Sequence, residues 1–243
     1  MSYLEFLIVF VVSPAVVLAI LGWLRARKEG RLPELRWHWL GTLILAIIAF
    51  LWTTPWDNYI VANGVWSYGE DRVVAVIGYV PLEEYLFFVL MPAFNSAFYA
   101  LFFLNASRGL STFRNKQTQS RVVVATASAA AMAIAAWLLA DRHFLYLAST
   151  ILWFLPALWL QWTFDPAHFK RKASTILVAT LVPTFYLCLV DAWAIHDGIW
   201  TIHESTRTGW EIASLPFEEA FFFFTTSLLL AQGLSLWHGL QKR

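Results

Sequence analysis

Four acidic residues in two adjacent pairs are the part of this chain best suited to chemistry: Glu83 and Glu84 in Pro81-Leu82-Glu83-Glu84, and Glu218 and Glu219 in Pro216-Phe217-Glu218-Glu219. Each pair follows an Asp and a Gly-x-Trp, which are Asp57, Gly64 and Trp66 in the first copy and Asp191, Gly198 and Trp200 in the second. Asp, Gly and Trp recur at an offset of 134 residues and the Pro and Glu residues at 135, so a single residue is inserted between them. Both copies run into aromatic, apolar sequence, Tyr85-Leu86-Phe87-Phe88 and Ala220-Phe221-Phe222-Phe223. Neighbouring carboxyls in apolar surroundings can divide acid–base work, because burial and a like charge let one keep its proton while the other accepts one. A lone Pro-x-Glu has a plainer explanation: Pro suits the first helical position and an acid in the first turn meets the helix dipole. The duplication, the second acid in each pair and the accompanying Asp favour the chemical reading.

Positioning these groups falls to apolar elements. The chain is 59% apolar, 17% aromatic and 14% charged, with a mean hydropathy of +0.60, which excludes an ordinary soluble domain. Seven windows match the ~20 apolar residues that span a bilayer as helix: Tyr3 to Leu24, Trp39 to Trp56, Val80 to Leu104, Val122 to Ala140, Phe144 to Trp162, Ala173 to Val190 and Leu215 to Trp237. In lipid such segments must be helices, so the expected fold is an all-α, polytopic membrane protein. Pro14, Pro92, Pro156 and Pro183 fall inside spans as expected kinks. The N-terminus lacks a basic region and reads as a retained anchor and not a cleaved signal. Ionisable groups at membrane depth are expensive and mark function. A net charge of +1 points to no nucleic-acid partner, and the single Cys188 excludes a disulfide framework or a cysteine metal cluster. Nothing in the sequence names an oligomeric partner.

Arg25, Arg27, Lys28, Arg31, Arg36, Arg108, Arg114, Lys116, Arg121, Lys170, Arg171, Lys172, Lys242 and Arg243 fall on one set of alternate loops, and only Arg72, Arg142 and Arg207 on the other. The positive-inside rule then places the N-terminus outside and the C-terminus in the cytoplasm, in the cell (inner) membrane, with both acidic motifs on the outer side. The offset carries helices one, two and three onto five, six and seven. The unpaired fourth helix makes the two halves parallel repeats, which inverted repeats would not need: residues 1–104 and 143–243 as three-helix units joined through 105–142. Both acid pairs then lie at one depth and can share a cavity.

Aromatic faces stabilise passing cations, and Trp66, Trp200, Tyr85, Phe88 and Phe221 are the expected lining. Trp37, Trp39, Trp137, Trp162 and Trp237 are expected in the interfacial belt. His196 and His203 with Asp191, Asp197 and Glu204 could be drawn as a metal site, yet the first copy has no matching histidine, and a solvated loop is the better reading. A diphosphate site lacks basic partners, no Lys lies within a span to carry a retinal Schiff base, and no Gly-x-Gly-x-x-Gly is present to bind a dinucleotide. Neither cofactor nor metal is expected.

At the two Pro-x-Glu-Glu motifs and the Asp57 and Asp191 segments the chain resembles the flavin-independent, integral-membrane lycopene cyclases, found as two small subunits in some bacteria and as a fused tandem elsewhere. The resemblance covers both halves and the connecting helix, and leaves no room for the phytoene synthase domain of fungal relatives. It implies redox-neutral closure of the ψ ends of lycopene into β rings, through γ-carotene to β-carotene. Glu83, Glu84, Glu218 and Glu219 would be the proton donors and acceptors and Asp57 and Asp191 supporting acids. Similar proteins make γ or ε rings, act on C50 carotenoids or hydrate the cation. A proton-coupled transporter is the reading from another class. With one shared site, Glu83→Gln and Glu218→Gln should each abolish ring closure; with two sites, pigment analysis of each variant should show a monocyclic product.

Overall fold

Among the described residues the apolar windows become seven helices long and apolar enough to cross a membrane: α1 (Tyr3–Lys28), α2 (Leu32–Ala62), α3 (Leu82–Phe103), α4 (Thr118–Leu138), α5 (Arg142–Phe164), α7 (Ala173–His196) and α8 (Phe217–Gly239). A short α6 (Pro166–Arg171) precedes α7. This computed structural model describes residues 1–104 and 118–240. Arg108, Arg114, Lys116, Lys242 and Arg243 of the charge count, and the start of the connecting segment at 105, lie outside the described residues.

Two boundaries differ from expectation in a way that matters. Helices α2 and α7 continue past Trp56 and Val190, so Asp57 and Asp191 lie within helices and not at their ends. Both helices stop at Gly64 and Gly198, whose φ angles of 73° and 68° are left-handed, a conformation that glycine adopts without strain. Val65 N–H then bonds to the Ile60 carbonyl at 3.0 Å and Ile199 N–H to the Ala194 carbonyl at 3.0 Å, the closing bond of a Schellman motif. Pro81 and Pro216 precede the first helical residue instead of occupying it, because each is paired in a two-residue strand with extended backbone.

Short strands, absent from the sequence reading, organise the loops. Strand β1 (Trp66–Tyr68) pairs antiparallel with β4 (Trp200–Ile202), setting Trp66 opposite Ile202 and Tyr68 opposite Trp200. Hairpins β2 (Val76–Ile77) with β3 (Val80–Pro81) and β5 (Glu211–Ile212) with β6 (Leu215–Pro216) lead directly into α3 and α8. Pro92, Pro156 and Pro183 lie inside helices, as does Pro55. Helix α1 opens on a capping box between Ser2 and Glu5 and contains a π-helical stretch, Leu7–Val12, followed by Pro14.

Helices α3 and α8 meet at the centre; α1 and α2 flank α3, and α5 and α7 flank α8. Helix α4 packs on α5 and otherwise presents apolar side chains such as Val122, Ile134 and Trp137 outward. The main core gathers aromatic residues from α1, α2, α3, α5 and α8, with Leu187 and Ala194 of α7, at the end that carries the acid pairs. At the opposite end the buried His38 Nδ1 lies 2.9 Å from His238 Nε2, and His38 Nε2 lies 2.9 Å from the Ser96 carbonyl. Since a carbonyl only accepts, His38 Nε2 carries the proton, and His238 Nε2 donates to His38 Nδ1 in the neutral pair. Trp37 and Trp237 stack there at 4.3 Å, each indole N–H bonded to the other's carbonyl, so these two tie α2 to α8 as well as standing near the helix ends. A Cβ at Gly41 would come within 2.6 Å of the Trp237 ring. Gly41→Ala is therefore expected to destabilise the detergent-solubilised protein by about 1–3 kcal/mol, read as a lower thermal midpoint.

Candidate active site

Loop hydrogen bonds separate the two acids of each pair. Glu83 Oε1 accepts from the Val74 N–H at 2.8 Å, and Glu218 Oε1 accepts from the Thr208 N–H at 2.7 Å. Both carboxylates are buried and fasten the loop that leads into their own helix. The neighbouring acids, about 100° further around the helix, face the other way. Glu84 and Glu219 line one narrow cavity between the helices.

That cavity lies between the halves. Trp66 from β1 donates its indole N–H to Glu219 Oε1 at 2.7 Å, and Tyr68 donates to Glu84 Oε1 at 3.2 Å. Burial, and then the charge of Glu84, hold the Tyr68 hydroxyl well above its ordinary pKa, so near neutral pH it is a donor. The Trp200 indole serves Asp191. Asp57 and Asp191 are 0% and 3% exposed, and each stands near both Glu84 and Glu219. Among the described residues neither Asp57 oxygen has a hydrogen-bond partner, nor does Asp191 Oδ2. Glu84, Asp191 and Glu219 thus line one largely apolar cavity with Asp57 within electrostatic reach of both glutamates, the kind of cluster in which like charges favour a retained proton.

Of the aromatic residues expected here, Trp66, Trp200 and Phe88 line the cavity. Tyr85 does not: its hydroxyl donates to the Ile77 carbonyl at 2.9 Å and accepts from Asn58 at 3.0 Å, pinning the β2–β3 hairpin. Phe221 packs against Phe154 and Phe217 instead, while Phe222 and Phe223 reach the cavity. Helical phase explains the difference: Phe87 and Phe88 lie three and four residues after Glu84, as Phe222 and Phe223 do after Glu219, and so share its face. That spacing was available in the sequence. Tyr3, Phe6 and Val11 of α1 also line the cavity, Tyr3 beside Glu84, and the buried Tyr146 stands beside Glu219 with its hydroxyl outside hydrogen-bonding geometry. No local motif marks these residues, because tertiary packing brings them in.

The loop anchors generate a direct expectation. Glu83→Ala and Glu218→Ala each strip a buried N–H of a charged acceptor and should cost about 1.5–3 kcal/mol. Gln at either position keeps an acceptor oxygen and should recover most of that loss in thermal unfolding of the purified protein.

A family model described as lycopene cyclase matches residues 5–102 and 143–232. A lycopene beta-cyclase of Halobacterium salinarum is 36% identical over 236 residues, covering 97% of this chain and 95% of that protein. A bifunctional lycopene cyclase/phytoene synthase of Blakeslea trispora is 33% identical over 242 residues, covering 95% of this chain and 38% of that protein. Its counterpart from Phycomyces blakesleeanus is 37% identical over 198 residues, covering 77% of this chain and 32% of that protein. No solved structure matches. With both matched segments ending in a helix that carries one cavity-facing glutamate, the chain belongs to the lycopene cyclase family.

Proposed function

We propose that the chain is a lycopene β-cyclase of carotenoid biosynthesis, and the observation that carries this reading is Glu84 and Glu219 facing one another in a single aromatic cavity. A protonated carboxyl of the cluster adds its proton to the terminal double bond of a ψ end, leaving a tertiary cation. The next suitably placed double bond attacks that cation and closes a six-membered ring, and the cation moves onto the ring. A second carboxyl removes a proton from the adjacent ring carbon, forming the ring double bond. One proton enters and one leaves, so there is no net redox change. Because Glu84 and Glu219 are within electrostatic reach of each other and of both aspartates, the proton taken up by the base can return to the acid for the next end.

The walls serve the cation. Trp66, Trp200, Tyr3 and the phenylalanines offer π faces to positive charge and keep out the water that would divert the cation to an alcohol. Glu83, Glu218 and Tyr85 support the site by holding its loops. Asp57 and Asp191 are supporting acids of the proton network. The acids occupy the first turns of continuous helices α3 and α8, whereas a carrier would hold its ions at interrupted helices near mid-membrane.

The same reading takes the halves as parallel repeats, residues 1–104 and 143–243 joined through 105–142. It is supported by the matching Schellman ends of α2 and α7 and by the equivalent loop bonds of Glu83 and Glu218. It takes the N-terminus as outside and the C-terminus as cytoplasmic in the cell membrane, on the distribution of Lys and Arg. Expression in a lycopene-accumulating cell is expected to yield β-carotene by pigment separation. Unchanged lycopene would overturn the reading, and a hydroxylated product would replace cyclase by hydratase. A cytoplasm-dependent reporter fused to the C-terminus is expected to be active.

A further inference from the structure

A carotenoid is longer than the cavity that holds its end, so the polyene must leave between helices. Beside the cavity, α2 and α5 part into two grooves. The nearer is lined by Leu51, Trp52, Tyr59, Leu152 and Trp153, and the farther by Leu45, Ala49, Trp52, Trp153, Ala157 and Gln161, with Thr226 and Leu229 of α8 also on its wall. Trp52 and Trp153 line both grooves, so the two adjoin at this pair. Tyr59 to Leu45 spans roughly 21 Å of helix at 1.5 Å per residue, a large part of the ~30 Å hydrocarbon core.

One aromatic layer separates this channel from the carboxyls. Trp56 lines the nearer groove and stacks on Trp153 at 5.1 Å and on Phe222 at 5.4 Å; Phe222 lines the cavity itself. The indole N–H groups of Trp56 and Trp153 are buried without a hydrogen-bond partner among the described residues, so neither indole has such a bond to break when it turns. Trp52 donates to the Trp153 carbonyl at 3.2 Å and is 46% exposed, so it covers the junction from the lipid side. On the other flank side chains bridge the helices: Tyr186 of α7 donates to the Phe10 carbonyl of α1 at 2.8 Å, and Phe6 and Phe10 pack on Trp193.

We infer that the α2–α5 groove is the binding site for the polyene of the carotenoid whose end group lies at Glu84 and Glu219, with Trp56 and Trp153 as the side door between groove and cavity. This rests on the cyclase reading, and fixes where the unreacted remainder of the substrate lies. After one ring forms, the molecule withdraws along the groove and presents its other end.

A blocking experiment on folded protein tests it. In Ala157→Cys, a bulky membrane-permeant thiol reagent applied after folding should lower conversion of added lycopene at least about tenfold, the effect of ~1.4 kcal/mol on the rate. Lycopene loaded beforehand should protect the introduced thiol from the reagent. Wild type, which carries Cys188, should keep its conversion through the same treatment. Leu43→Trp, on the lipid face of α2 away from the groove, should also convert normally. Labelling that proceeds equally with and without lycopene, with conversion intact, overturns the proposal and leaves the groove to lipid chains alone. A wild type that never converts lycopene overturns the cyclase reading beneath it.

Discussion

A carboxylate sealed from water needs either a donor from the protein or a proton, and the chamber between the two halves is built around that requirement. Trp66 supplies such a donor to Glu219 from the other half of the chain, and the antiparallel pairing of β1 with β4 holds that indole in place. Glu84 receives the Tyr68 hydroxyl. The oxygens left over, both of Asp57 and one of Asp191, have no donor among the described residues. A cluster with fewer donors than oxygens is a place where protons are shared, which is what the proposed acid–base chemistry needs.

The halves contribute unlike partners to like positions. Glu84 is met by a phenol and Glu219 by an indole, which can only donate. The two glutamates are therefore distinguishable even though their helices begin the same way, with an extended proline, a loop-anchoring first acid and a cavity-facing second one. At the far end of the bundle, His38 with His238 and Trp37 with Trp237 tie α2 to α8. Helices α2 and α8 are thus fastened at that end, and grooves open along the side, between α2 and α5.

Sequence carried the helices, the convergence of the acidic stretches and the aromatic character of the walls, because bilayer length and 3.6-residue periodicity are local properties. It left both glutamates of each pair as equal candidates. Their division depends on loop N–H groups of Val74 and Thr208, nine and ten residues upstream, a matter of loop path. Phe222 and Phe223 were recoverable by counting three and four residues from Glu219, whereas Phe221 falls on the opposite face. Tyr3 and Tyr146 were out of reach, since nothing in their surroundings records which helix will lie across them. The β1–β4 pairing was hidden for the same reason: each strand is three residues long and finds its partner in the other half.

Pigment composition in Glu84→Gln and Glu219→Gln tests the single shared chamber most directly. Each variant alone should leave lycopene with no monocyclic intermediate, because both ends of the substrate use the same pair of carboxyls. Accumulation of γ-carotene in either variant would show that the halves close rings independently and would contradict the account.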